Sequence, residues 1–258
     1  MSFRAKKSFG QNFLTDQVII QRIIAALDLK EIDKVFEVGP GKGALTFPLE
    51  EQASCLKAVE LDKDAVNFLQ GKLRSTTTVT QADILSIDWN SILGDHRQWK
   101  LATNLPYNIS HDFCIKLLAN RSYFEKIVMM VQKEVAERIC CKELSSKDYG
   151  TLSVLMQSGF EAEYLFTVPP EAFSPQPKVE SAVIQLKPLA VMNEESKFQN
   201  FVYWFFAKRR KKLLPRLQKE KVSFYACLTE VEKEHYANAR AEEFSTAKIK
   251  EIFFRKTN

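Results

Sequence analysis

The chain is 258 residues long, 45% hydrophobic and 27% charged, with a net charge of +5; this fits one large globular domain, or a domain with a small appendage, and not a disordered or fibrous protein. The longest wholly apolar run, residues 201–207, is too short to cross a bilayer, and no apolar signal segment follows the basic residues near the start. Five cysteines without a C-x-x-C spacing argue against a disulfide framework or a zinc site, so the expectation is a cytosolic protein without a structural metal.

Residues 3–15, FRAKKSFGQNFLT, are basic and aromatic. A helix is expected from about Asp16, capped by Thr15 or Asp16, with Ile19, Ile20, Ile23, Ile24 and Leu27 on one stripe. Residues 35–38 read as a buried strand, followed by a turn rich in glycine (Gly39, Gly41 and Gly43 around Pro40 and Lys42) and then a helix. A second strand ends at Glu60, a helix covers 63–73, a third strand ends at Asp83, and a fourth runs from Lys100 into Asn104, Leu105, Pro106 and Tyr107. Helix 109–119, strand 127–131 and helices over 132–141 and 151–158 follow. Alternating short apolar strands and helices predict a parallel, doubly wound α/β sheet. The strands at 161–168 and 181–189 are separated by a proline-rich loop with no crossover helix, so the last pair is expected to be antiparallel. Past about residue 189 only helical patterning remains, including 241–254 as a helix, and the stretch KRRKKLLPRLQKEK carries eight basic residues and one acid. The expected domains are therefore residues 1–188 and a small helical domain, 189–258.

Four strand ends carry the chemistry. In open parallel sheets, ligands bind beyond the carboxyl ends of the strands. The glycine turn, E-x-G-x-G-x-G from Glu37, matches neither the dinucleotide fingerprint nor a phosphate loop. It suits a nucleoside-derived ligand without pyrophosphate, such as S-adenosylmethionine. Glu60 can accept both hydroxyls of a ribose, and Asp83 can accept from an adenine amino group. Asn104 and the Pro106 carbonyl can bind the two N–H groups of a second, acceptor amine. That amine is a poor nucleophile, and positioning beside a methyl donor would supply most of the catalysis. Tyr107 can stack on the acceptor base, with Phe173 of the proline-rich loop on its other face. The histidines at 96, 111 and 235 have no partners at ligand or triad spacing.

With these residues in place, the chain resembles the rRNA adenine N6,N6-dimethyltransferases, in particular the bacterial KsgA type that acts on small-subunit rRNA. The stretches KKSFGQNFL, VFEVGPGKGALT, AVELD, ADIL, NLPYNIS, FSPQPKVESAV and FFAKRRKKLLPRL carry the resemblance in the family's order. It implies a class I, Rossmann-like methyltransferase domain with a seven-stranded, mostly parallel sheet, and a small C-terminal helical domain. It implies a cofactor pocket for S-adenosylmethionine formed by Asn12, Leu14, Gly39, Gly41, Glu60, Leu61, Asp83, Ile84 and Asn104. The catalytic set is Asn104, Leu105, Pro106, Tyr107 and Phe173. The implied reaction places two methyl groups on each of two adjacent adenines in the terminal hairpin loop of the RNA. The implied partner is small-subunit rRNA within an immature subunit, met by a monomer. Lys6 and Lys7, with Lys208, Arg209, Arg210, Lys211 and Lys212, are the candidate RNA-binding residues, since phosphate contacts are made chiefly by Lys and Arg. The rival readings are a large-subunit enzyme of macrolide-resistance type, a DNA adenine methyltransferase, and a non-enzymatic assembly factor that kept the fold.

Overall fold

The computed structural model describes residues 10–95 and 97–255. They divide into two units, one of residues up to Ala136 with Phe160–Pro188, the other of Glu137–Gly159 with the chain from Leu189 onward. Where the residue pattern suggests one cut at residue 188, the segment Glu137–Gly159 also groups with the C-terminal helices. The reason is local: the Tyr149 hydroxyl donates to the Phe244 carbonyl at 2.9 Å, and Arg209 Nη2 donates to the Ser146 carbonyl at 2.6 Å.

The first unit contains β1 (Phe13–Leu14), α1 (Gln17–Leu27), β2 (Lys34–Val38), α2 (Thr46–Gln52), β3 (Cys55–Glu60), α3 (Lys63–Gln70), β4 (Thr77–Gln81), α4 (Trp89–Leu93), β5 (Trp99–Asn104), α5 (Ser110–Ala119) and β6 (Phe124–Gln132). Helix α6 (Lys133–Cys140) begins directly after β6, and α7 (Thr151–Gly159) precedes β7 (Phe160–Val168), β8 (Phe173–Ser174) and β9 (Ser181–Pro188). Seven strands form one sheet in the order β4, β3, β2, β5, β6, β9, β7. The first five are mutually parallel, and β9 runs antiparallel to both β6 and β7. The expected antiparallel end is therefore present, with the final strand inserted between β6 and β7. Strand β6 is longer than the apolar run 127–131 suggests, because Phe124 and Lys126 also pair with β5.

Side chains on a strand alternate between faces, and β2 separates two cores. Val35 joins Ile20, Ile23, Ile24 and Leu27 of α1, Leu49 of α2, and Val128, Met130 and Phe173 in one apolar cluster. Phe36 points the other way, edge-on to Trp89 at 5.7 Å and stacked on Phe124 at 6.3 Å. Asp16 caps α1, its Oδ1 accepting from the Val18 and Ile19 amides at 2.8 and 3.1 Å. Both faces being covered explains why these strands read as near-continuous apolar runs.

In the second unit, α8 (Glu195–Phe206), α9 (Leu213–Glu220), α10 (Val222–Ala226), α11 (Glu230–His235) and α12 (Thr246–Phe254) follow one another. Their core is aromatic: Phe201 lies 4.5 Å from Phe224 and 5.5 Å from Phe253 between ring centroids. The expected helix over 241–254 is divided, because Ser245 accepts from the Lys248 amide and starts α12 anew after a 3-10 turn at Ala241–Glu243. Among the described residues no helix is long and apolar enough to cross a membrane.

Candidate active site

The carboxyl ends of β2, β3 and β5, with the turn after β4 and the residues around β1, enclose a cavity of about 270 Å³. Its wall contains every residue of the expected cofactor and catalytic sets: Asn12, Leu14, Gly39, Gly41, Glu60, Leu61, Asp83, Ile84, Asn104, Leu105, Pro106, Tyr107 and Phe173. Strand register accounts for this convergence. Glu37 and Val38 pair with Ala58 and Val59 on one side and Ala102 and Thr103 on the other, so β2, β3 and β5 end side by side. The Gly39 amide donates to the Val59 carbonyl at 3.0 Å, and Thr103 Oγ1 donates to the Val38 carbonyl at 2.8 Å, which fixes the turn to both neighbours.

The turn needs glycine at two points that face the cavity. Gly39 and Gly41 have φ of +72° and +54°, in the left-handed region that residues with a Cβ rarely adopt. At Gly41 a Cβ would also come within 3.1 Å of the Phe13 ring. The Gly41 amide donates to Glu60 Oε2 at 3.0 Å, while Glu60 Oε1 accepts from the Asp62 amide at 2.9 Å. Each oxygen keeps a further lone pair for a ligand hydroxyl. Burial pushes the Glu60 carboxyl above its ordinary pKa, with the Asp62 charge adding to the rise, and backbone hydrogen bonds from Asp62, Gly41 and Leu61 oppose it. Asp83 lies two residues beyond β4, and its carboxylate shapes its own turn by accepting from the Leu85 amide at 2.9 Å and Ser86 Oγ at 2.8 Å.

Asn104 ends β5, and its Nδ2 donates to the Asn12 carbonyl at 3.5 Å, so the amide oxygen is the atom left to accept from a ligand. The Pro106 carbonyl differs from expectation. It closes the 3-10 turn Tyr107–Ile109, accepting from the Ile109 amide at 3.3 Å and from Ser110 Oγ at 3.4 Å. Among the described residues no such bond occupies the Leu105 carbonyl, one residue earlier, which makes it the better second acceptor. Pro106 marks the end of the strand, but the residue types do not show that a 3-10 turn follows at once.

Phe173 lies on the cavity wall but is only 3% exposed, packed in the α1-side core. Strand β8 pairs it with Leu14 of β1, and the Ala172 carbonyl accepts from the Thr15 amide at 2.8 Å. The segment 173–174 thus ties the chain around Asn12 and Leu14 to the cavity. Glu37, absent from the expected set, also lines the cavity while being 1% exposed. Burial, aided by the facing Glu60 and Glu50 carboxylates, pushes its pKa up to about 8. The adjacent Thr46 hydroxyl opposes the rise, although by hydrogen-bond geometry Glu37 Oε2 and Thr46 Oγ1 both stay unsatisfied among the described residues. A signal for Glu37 is present in the sequence, since it opens the glycine motif.

The candidate RNA-binding residues separate into groups. Lys6 and Lys7 lie outside the described residues. Lys208–Lys212 occupy not a helix face but the turn between α8 and α9, where Lys208, Arg209, Arg210 and Lys211 border a second, shallow depression with Lys147 and Arg240. Arg209 is a strut there: it is paired with Glu242 and donates to the Ser146 and Lys147 carbonyls. Lys208 pairs with Glu220 at 3.3 Å, and Lys212 donates to Asn238 at 2.6 Å. Among the described residues, no group of three or more His, Cys, Asp or Glu side chains is placed to hold a metal ion.

Residues 2–252 match the family model described as ribosomal RNA adenine dimethylase. Ribosomal RNA small subunit methyltransferase A of Syntrophotalea carbinolica is 43% identical over 217 residues, covering 83% of this chain and 81% of that protein. The protein of the same name from Geobacter sulfurreducens is 44% identical over 218 residues, covering 81% and 79%. Among solved structures, a dimethyladenosine transferase from Plasmodium falciparum superposes with a TM-score of 0.80 at 21% identity, covering 95% of this chain and 98% of that one. The 23S rRNA methyltransferase ErmE does so with a TM-score of 0.70 at 24% identity, covering 96% and 100%. These two likenesses establish the Rossmann-like methyltransferase fold, and the match along nearly the whole sequence establishes more: the chain belongs to the ribosomal RNA adenine dimethylase family.

Proposed function

We propose that this chain transfers methyl groups from S-adenosylmethionine to the N6 amino groups of two adjacent adenosines in the 3'-terminal hairpin loop of small-subunit (16S) rRNA, giving N6,N6-dimethyladenosine. The observation that carries the proposal is the convergence of the glycine turn, Glu60, Asp83 and Asn104–Tyr107 on one cavity. Both bacterial relatives share the specific name of small-subunit enzymes at about two-fifths identity.

The cavity residues fit the donor. Two left-handed glycines let the backbone come close to a ligand, Glu60 presents a carboxylate at the end of β3, and Glu37 Oε2 is an unpaired buried acceptor suited to a cation. S-adenosylmethionine, when bound, supplies a methyl group activated by its sulfonium. Glu60 would hold the ribose hydroxyls, Asp83 the adenine amino group, and Asn12, Leu14, Leu61 and Ile84 the surrounding walls. On the acceptor side, Asn104 Oδ1 and the Leu105 carbonyl would take the two N–H groups of the target amine in the first transfer and the one remaining N–H in the second, the amine losing a proton each time it gains a methyl group. Its lone pair is then directed toward the donor instead of into the purine ring. Preorganised acceptors of this kind stabilise the charge that develops as the amine attacks. Tyr107 would stack on the base, and Phe173 would form the apolar back wall.

The partner under this reading is small-subunit rRNA in an immature subunit, met by a monomer in the cytoplasm during subunit biogenesis. Arg210 and Lys211 are the basic residues of the α8–α9 turn best placed for phosphate. The test is transfer of labelled methyl to purified small and large subunits. Label on the small subunit supports the assignment, and label on the large subunit alone replaces it with the macrolide-resistance class.

A further inference from the structure

The stretch FSPQPKVESAV spans the cavity wall at Phe173 and the start of β9, and only Phe173 has a place in the proposed mechanism. Its far end makes a second contact. The hydroxyl of Tyr107 lies 2.7 Å from Ser181 Oγ, and either can donate. Ser181 is fully buried and is the first residue of β9, paired with Gln132 of β6 on one side and Val168 of β7 on the other. The preceding residue is held too: the Glu180 carbonyl accepts from the Lys133 amide at 3.0 Å, and its carboxylate meets Lys133 Nζ at 2.8 Å. Ser181 is therefore a fixed point of the sheet. Tyr107 is not; it opens a short 3-10 turn and is half-buried on the cavity wall. The ring torsion of a tyrosine is a broad two-fold well, so the plane of an untethered ring is poorly defined. The Tyr107 phenol is protonated and able to donate at neutral pH, and burial raises its pKa further.

We propose that Ser181 is a positioning residue that locks the plane of the Tyr107 ring against the acceptor base, so that the proline-rich stretch builds the acceptor side at both of its ends. This rests on the reading that Tyr107 stacks on that base. A hydrogen bond to a fixed partner contributes about 1 kcal/mol, and one that matters chiefly for orienting the reacting amine would appear in turnover.

The test uses the full chain with under-methylated small subunits and four variants: Ser181→Ala, Tyr107→Phe, the two combined, and Tyr107→Ala. Turnover and KM for the subunit are measured, with cofactor affinity by calorimetry. Ser181→Ala and Tyr107→Phe should each lower kcat about fivefold, the combined variant should fall no further, and cofactor affinity should stay at the parent value. Undiminished turnover in Ser181→Ala, with Tyr107→Ala inactive, overturns the tether and leaves the stacking reading intact. Near-parental turnover in Tyr107→Ala overturns both. Independent losses that multiply in the combined variant, or an equal loss of cofactor affinity, also overturn the tether, since both describe general disorder of the site.

Discussion

Glu37 gives a prediction whose size follows from its surroundings. The carboxyl is buried under the glycine turn, faces Glu60 and Glu50, and has a pKa of about 8. In the unfolded chain it returns to an ordinary value near 4.5. Between those values the folded state holds a proton that the unfolded state has lost, so stability must fall as pH rises through this window. Each tenfold gain in proton affinity on folding is worth about 1.4 kcal/mol, so the full effect is about 5 kcal/mol at pH 8, an upper bound that relaxation of the site would reduce. Glu37→Gln keeps the shape and removes the ionisation. The variant and parent should have similar stability near pH 5, and the variant should become the more stable by several kcal/mol above pH 8. Urea denaturation of both proteins without ligand, at intervals from pH 5 to pH 9, measures the difference directly. Stability curves that run parallel across that range would mean that Glu37 ionises as freely in the fold as outside it.

Further outcomes follow from the same site and from the basic turn. Glu60→Ala should weaken S-adenosylmethionine binding at least tenfold by calorimetry, since it removes a carboxylate with charge-assisted bonds of about 1.5–3 kcal/mol; Asn104→Ala should leave binding within about threefold and lower turnover about a hundredfold. Binding of the cationic donor should tighten from pH 6 to pH 8, because burial raises the pKa of Glu37 and Glu60 and the bound cation favours their ionised forms; affinity independent of pH would contradict this. Replacing Arg210 and Lys211 together by alanine should reduce the slope of log affinity for rRNA against log salt by about 2, whereas Arg209→Ala should lower the melting temperature because it breaks the Glu242, Ser146 and Lys147 contacts.

The site is legible in the sequence because its chemistry is concentrated at strand ends. Gly39, Glu60, Asp83 and Asn104 are polar or flexible residues at the ends of apolar runs, and a parallel sheet brings such ends together whatever the details of packing. The order of the last strands is less accessible, since insertion of β9 between β6 and β7 depends on pairing between distant residues such as Met130 and Val183. The role of Arg209 is hidden for a similar reason: in the sequence it belongs to a basic run, and only folding brings Glu242 against it. The Pro106 carbonyl shows a local limit. Proline stops β5, but Ile109 and Ser110 engage its carbonyl through a turn that the residue types do not announce. Phe173 combines two readings that the sequence holds apart, since it is a core aromatic and also lines the cavity.

Methyl transfer from S-adenosylmethionine to small ribosomal subunits that lack the modification, followed by digestion of the RNA to nucleosides and mass spectrometry, reads out the proposed reaction directly. N6,N6-dimethyladenosine from the 3'-terminal hairpin is the expected product, formed by the parent chain and strongly reduced with Asn104→Ala. Methyl groups on another nucleoside, or dimethyladenosine formed at the parental rate by Asn104→Ala, would overturn the assignment.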